Sequence, residues 1–183
     1  MKPRLPVKLL SAILLLFTGM PPVLADAEED FGLGYAAYTR REYAQTLSLW
    51  LRAAEQGHPR AQNGLGVLYR DGLGTAKSDA VAVRWFRESA ESGYAFGMFN
   101  LGLMYRDGSG VARDDIEALK WFSLASAVHY DRDAAVQRGL LARRMSAAQT
   151  EEARARAQAW FDRFFFGKSS KISRPRGRVP TTE

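Results

Sequence analysis

Apolar and small side chains recur along this chain at helical steps. Ala61, Leu65, Gly66 and Tyr69 fall at intervals of four, one and three, which gathers them into one stripe on a helix, and the same intervals return 36 residues later at Gly97, Leu101, Gly102 and Tyr105. A second stripe, Ala82, Trp85 and Phe86, returns as Ala118, Trp121 and Phe122. Recurrence at the repeat period marks these aromatics as core. Gly57 and Gly93 close one helical pattern, and Asp71-Gly72-Leu73-Gly74 and Asp107-Gly108-Ser109-Gly110 close the other. Glycine just past a helix takes the left-handed conformation without steric cost, so both are stop signals. Ser78 and Asp114 stand where the second helix of each unit would begin, and Glu117, three residues beyond Asp114, predicts a capping box. Aligned without a gap, residues 54–89 and 90–125 agree at 15 of 36 positions. Such fixed-period similarity means stacked units, each too small to bury its apolar side alone. The predicted fold is all-α, a superhelical α/α solenoid of helix-turn-helix repeats.

The flanks follow the same logic with changes. Residues 26–53 form an abbreviated first repeat, in which Tyr38 to Ala44 spans six residues where Tyr69 to Ala80 spans eleven, and Leu49-Trp50 stand at the positions of Trp85-Phe86 and Trp121-Phe122. Residues 126–166 read as two C-terminal capping helices separated near Ser146, where Ser146-x-x-Gln149 is a further capping box. A solenoid needs such an atypical end unit. Residues 167–183 lack apolar periodicity and hold two prolines, the composition of a disordered basic tail.

At the other end, Lys2, Arg4 and Lys8 precede a short apolar run from Leu9 to Gly19, and Val23 and Ala25 supply small residues before an acidic start. The run is shorter than the roughly 20 residues that span a bilayer, so residues 1–25 read as a signal peptide cleaved after Ala25, or after Ala27. The alternative is a retained anchor, which Pro21 and Pro22 would interrupt. The expected location is therefore the bacterial envelope, in the periplasm. The chain has no cysteine, so neither disulfides nor a lipid-modified cysteine enters this picture.

Charge changes less than the pI of 9.8 suggests. Of 26 Lys and Arg, three precede residue 26 and five follow residue 166, which leaves 18 basic against 19 acidic residues between Asp26 and Phe166. The repeat body is electrically neutral, whereas a nucleic-acid reader carries its excess positive charge on the folded face. No nucleic-acid partner is expected.

Catalytic patterns are sparse. Gly72-Leu73-Gly74-Thr75-Ala76-Lys77-Ser78 lacks both the third glycine of a dinucleotide loop and the Gly-Lys-Ser/Thr triplet of a P-loop, and its counterpart at Gly108 to Gly110 marks it as a connecting turn. The two histidines, His58 and His129, lie far apart at turn positions, and without cysteine or a His-Glu-x-x-His pair no zinc site is indicated. No Gly-x-Ser-x-Gly elbow occurs. Asp114-Asp115 and Glu151-Glu152 sit at helix starts, where carboxylates complement the helix dipole. The expectation is a chain without catalytic residues, cofactor or metal, with a hydrolase as the last alternative.

Leu65-Gly66-x-x-Tyr69-x-x-Gly72-x-Gly74 and Leu101-Gly102-x-x-Tyr105-x-x-Gly108-x-Gly110 resemble the signature of the Sel-one-like (SLR) repeats, relatives of the tetratricopeptide repeats, over about residues 30–160. Gly97 replaces the alanine usual where Ala61 stands, and Thr75 the valine seen as Val111. The resemblance implies a scaffold for protein–protein interaction, here in an exported bacterial member, with its first helices lining a concave groove. SLR proteins described as β-lactamases are cysteine-rich, and this chain has neither cysteines nor Ser-x-x-Lys. Opposite the Leu-Gly-Tyr stripe lie Asn63, Val67 and Arg70, then Phe99, Leu103 and Arg106. These six are the candidate partner-binding residues, with aromatic and Arg anchors of the kind that dominate interfaces. The alternative is that Val67 and Leu103 complete the core. A second reading gives Lys168, Lys171, Arg174, Arg176 and Arg178, with Trp160, Phe161, Phe164 and Phe165 as an interfacial face, a role on anionic lipid or cell-wall polymer.

Overall fold

A computed structural model describes residues 26–129 and 132–167. The signal peptide expected at 1–25 and the basic residues Lys168, Lys171, Arg174, Arg176 and Arg178 lie outside the described residues. Within them the chain is built of eight α-helices: α1 Ala27–Thr39, α2 Tyr43–Glu55, α3 Pro59–Asp71, α4 Asp79–Glu91, α5 Ala95–Asp107, α6 Asp115–His129, α7 Arg132–Ala142 and α8 Ala147–Phe165. Each helix from α1 to α6 packs on the next, α3 also touches α5, and α8 packs on α6. The hairpins are thus α1–α2, α3–α4 and α5–α6, and the units counted from residues 54 and 90 begin in the last turns of α2 and α4.

Local chemistry sets these boundaries. Pro59 occupies the first turn of α3, and the His58 ring caps it, Nδ1 accepting from the Ala61 N–H at 3.2 Å. Proline suits that place because its missing N–H would have no helical partner there. Gly72 ends α3 with φ 70° and Gly108 ends α5 with φ 68°, both left-handed. The chain then folds back, so that Ser78 N–H donates to Tyr69 O at 2.8 Å and Asp114 N–H to Tyr105 O at 3.0 Å. Asp114 caps α6 through Oδ1, which accepts from Ile116 N and Glu117 N at 2.9 and 3.0 Å. The reciprocal half of that box is missing. The Glu117 carboxylate turns instead to Lys120 at 3.1 Å and to Arg156 of α8 at 2.8 Å, because the Asp114 N–H is already taken by Tyr105. The box at Ser146 is complete.

The core runs between the helix layers. Leu65, Phe86, Leu101 and Phe122 are fully buried, and burial of each such side chain contributes about 1.5–3 kcal/mol. The stripe glycines bring the layers close: an ideal Cβ on Gly34, Gly66 or Gly102 would stand 2.4, 2.3 or 2.7 Å from the ring of Trp50, Phe86 or Phe122. Trp121 is 2 % exposed, whereas Trp85 is only half-buried. The difference lies in α8, whose Trp160 meets the Trp121 ring edge-on at 6.1 Å. Helix α8 crosses α6 and reaches the end of α4, where Trp160 Nε1 donates to Glu91 Oε2 at 2.8 Å and the Phe164 ring lies on Gly93.

Candidate functional site

Because Gly34, Gly66 and Gly102 occupy the same place in their hairpins, the side chains around them can be compared helix by helix. Asn63, Val67 and Arg70 on α3 correspond to Phe99, Leu103 and Arg106 on α5, and both triplets correspond to Phe31, Tyr35 and Tyr38 on α1. The two α3 and α5 triplets come together as one strip. Asn100 Nδ2 donates to Asn63 Oδ1 at 2.9 Å across the α3–α5 seam, and Val67 and Phe99 pack on one core cluster.

All six candidates are half-buried. Phe99 tilts against Phe122, with ring centroids 5.8 Å apart, and Leu103 packs on Ala118, Leu119 and Phe122, so both present only their outer edges to the face. The two arginines are forked on their neighbours. Arg70 Nε and Nη2 reach Asp71 at 2.8 and 3.0 Å, and Arg106 Nε and Nη2 reach Asp107 at 2.6 and 2.7 Å. Hydrogen bonds from the guanidiniums hold the Asp71 and Asp107 carboxyls below the usual range. Arg106 also donates to Gln137 Oε1 at 2.5 Å, tying α5 to α7. The arginines are therefore positioned donors with their charge locally balanced, as bidentate Arg–carboxylate geometry dictates.

Sequence reading passed over the first helix. Phe31, Tyr35 and Tyr38 wall a pocket of about 220 Å³ between α1 and α3, completed by Trp50, Arg60 and Tyr94. Its rings are mutually braced: Trp50 stacks on Phe31 at 6.0 Å and on Tyr38 at 5.5 Å, and its Nε1 donates to Phe31 O at 3.3 Å. Arg60 lies 4.3 Å over the Phe31 ring, a favourable cation–π placement. Burial raises the Tyr94 hydroxyl pKa, and Arg60 opposes that rise. Tyr35 remains 56 % exposed at the mouth. The signal was available, because carrying the α3 and α5 triplets back one repeat lands on these three aromatics. At the other end of the face a cavity of about 260 Å³ lies beside Arg106, Gln137, Leu140 and Arg144, with Leu140 55 % exposed.

His58 is a second residue whose place the sequence concealed. Its Nε2 lies 2.9 Å from Glu28 Oε2 and its ring stacks on Phe31 at 4.7 Å, so it joins α3 to α1. Among the described residues no group of three or more His, Cys, Asp or Glu is placed to hold a metal ion.

A family model described as Sel1 repeat matches residues 31–58, 59–94 and 95–127. The chain belongs to the Sel1 repeat family. Sel1 repeats generally serve as scaffolds for protein–protein interaction. Among solved structures, this Sel1 chain is similar to a protective antigen of uropathogenic Escherichia coli displaying an SLR fold, at a TM-score of 0.74 and 24 % identity over 87 % of this chain and 35 % of that one. It is also similar to a Sel1 repeat protein from Oxalobacter formigenes, at a TM-score of 0.58 and 34 % identity over 61 % of this chain and 45 % of the other. The chain thus spans less than half the length of either structure. No curated protein matches it.

Proposed function

We propose that this Sel1 repeat chain is an exported, non-catalytic scaffold of the bacterial envelope that holds a segment of a partner protein along the concave face of α1, α3, α5 and α7. The observation that carries the reading is the continuity of that face. It begins at the aromatic pocket of Tyr35 and Trp50, passes the half-buried strip of Asn63, Val67, Phe99 and Leu103, and ends at exposed Leu140. A pocket walled by rigid rings takes an apolar anchor at low entropic cost, while the amides and forked arginines fix the direction of the segment laid across them. Export rests on the leader, with its basic start, short apolar run and small residues before Asp26.

Two measurements test this reading in cells. Fractionation with N-terminal sequencing should find the chain in the periplasm, beginning at Asp26 or Glu28. A photo-crosslinking residue in place of Tyr35 or of Leu140 should capture one and the same discrete protein, and a crosslinker in place of exposed Arg87 on α4 should not. Capture independent of position would remove the concave face as the site.

One observation favours a second reading at the end of α8. Phe161, Phe165 and Phe166 are exposed there, with Phe161 and Phe165 in contact at 4.4 Å, and Lys168 and Lys171 follow in the sequence. Trp160 is buried and Phe164 half-buried, so the interfacial face is narrower than Trp160, Phe161, Phe164 and Phe165 together. Apolar rings beside cations suit an anionic lipid surface. Flotation with phosphatidylglycerol vesicles, lost in a chain truncated after Phe166 and in Phe165→Ser, would support it; recovery of the protein in the unbound fraction would dismiss it.

A further inference from the structure

Three times along this chain a glycine on an odd-numbered helix lies beneath an aromatic ring of the helix that follows: Gly34 beneath Trp50, Gly66 beneath Phe86 and Gly102 beneath Phe122. The register supplies a fourth glycine, Gly139 on α7, in the same relation to exposed Leu140 as Gly102 has to Leu103. No ring covers it. A Cβ at Gly139 would meet nothing within 4 Å.

Helix α8 explains the gap. From Ala153 to Ala159 it reads Ala-Arg-Ala-Arg-Ala-Gln-Ala, without a ring to offer, and its one buried aromatic, Trp160, is committed to Trp121 and Glu91. Helices α7 and α8 both rest on α6, and between them opens a cleft of about 460 Å³. Leu119, 3 % exposed, forms its floor, with Ala142 and Ala157 at the sides. Exposed Arg138 and Arg154 stand at the rim, and among the described residues no carboxylate lines the cleft. Arg138 donates to Ser126 Oγ at 3.2 Å, and Arg154 pairs with Glu151 at 3.2 Å, a contact 75 and 69 % exposed on its two sides. A pair so open to water yields readily to a better-placed anion.

We propose that this cleft is a socket for one aromatic side chain carried on an acidic segment of a partner protein, which completes in trans the glycine–ring layer that the other three hairpins complete for themselves. The ring is called for by the three filled equivalents, and the acidic flank by two rim guanidiniums with no lining carboxylate. Residues 168–183 hold no Phe, Tyr or Trp, so that segment does not supply the ring. Of the exposed rings that a second copy offers, Phe165 and Phe166 lie between Arg163 and Lys168 and would bring like charge to the rim. The proposal is independent of the concave face, which lies on the other side of α7.

The test is a methyl NMR titration with three acetylated pentapeptide amides, Asp-Glu-Phe-Glu-Asp, the same peptide with Ala for Phe, and Lys-Lys-Phe-Lys-Lys. The first peptide is expected to shift the methyls of Leu119, Ala142 and Ala157, and the other two to bind at least about tenfold more weakly, the scale of one well-placed anchor. Gly139→Phe places a ring in the socket in cis and should abolish those shifts, whereas Gly139→Ala should preserve them. Should Gly139→Phe not fold, an Arg138→Glu, Arg154→Glu double variant should reverse the preference towards the lysine peptide. Equal binding of all three peptides, shifts confined to the Tyr35 pocket, no shift at millimolar peptide, or self-association that Gly139→Phe removes would each overturn the proposal.

Discussion

Gly66→Ala is the sharpest test of how the layers meet. A methyl at Gly66 would stand 2.3 Å from Phe86 Cε1 and 2.4 Å from Cδ1. To restore ordinary contact the fully buried Phe86 ring, or all of α4, must withdraw by about 1 Å into a core packed like a crystal. Such overpacking costs about 1–3 kcal/mol, or more where a rigid ring has no alternative rotamer. Against it stands the gain of about 0.5–1 kcal/mol for alanine over glycine inside a helix. The cost wins, and the net loss is about 1–2 kcal/mol, or roughly 5 °C in thermal midpoint for a chain of this size. Gly139→Ala is the internal reference. It has the same helical gain and no ring to displace, so it should raise the midpoint by about 2 °C. Circular dichroism melts of the two variants and the parent decide the matter. A Gly66→Ala chain as stable as the parent would refute the reasoning, because it would mean that the layers separate freely.

Other substitutions divide the core more finely. Trp121→Ala should cost about 3–5 kcal/mol in chemical unfolding; since Trp121 Nε1 is buried without a hydrogen-bond partner, Trp121→Phe loses no hydrogen bond, leaves a smaller cavity and should cost clearly less than Trp121→Ala. Ser146→Ala removes the hydroxyl that accepts from Gln149 N–H, the side-chain half of the α8 capping box, and should lower stability by about 1 kcal/mol, read from the same unfolding curves. Asp71, Asp107 and Asp115 have pKa values lowered from 3.8 by hydrogen bonds from arginine. A lowered folded-state value means that their stabilisation is full above the ordinary pKa and is lost as pH falls through the depressed one. Midpoints measured downward from neutral pH should therefore fall below about pH 4, and the fall should be shallower in Arg113→Ala, which frees Asp115 of its first partner.

The solenoid was legible because its period is written twice in full. Leu65 with Leu101 and Phe86 with Phe122 occupy matched buried positions, and the Ser146 box closes as its spacing predicts. What escaped was decided by partners distant in sequence. Glu117 has the spacing of a capping residue, but the structure gives it Arg156, 39 positions away. Trp85 and Trp121 are equivalent in sequence and differ in burial because only Trp121 lies beneath α8. The face followed the same rule. Its α3 and α5 residues could be chosen by helical spacing, whereas the pocket at Phe31, Tyr35 and Tyr38 needed the register carried into a repeat whose sequence had diverged.

Gly74 and Gly110, both at φ 68°, sit at the second turn of successive connections, where a Cβ would stand 2.6 Å from the carbonyl carbon of Tyr43 and 2.3 Å from that of Asp79. These are the first residues of α2 and α4, so each connection rests main chain against main chain on the hairpin before it. The rise from one hairpin to the next is thereby set by peptide units, which do not change when side chains do. The scaffold behaves as a ruler whose graduations are fixed in the backbone: the residues displayed at each mark can be exchanged to suit a new ligand while the distance between marks is preserved.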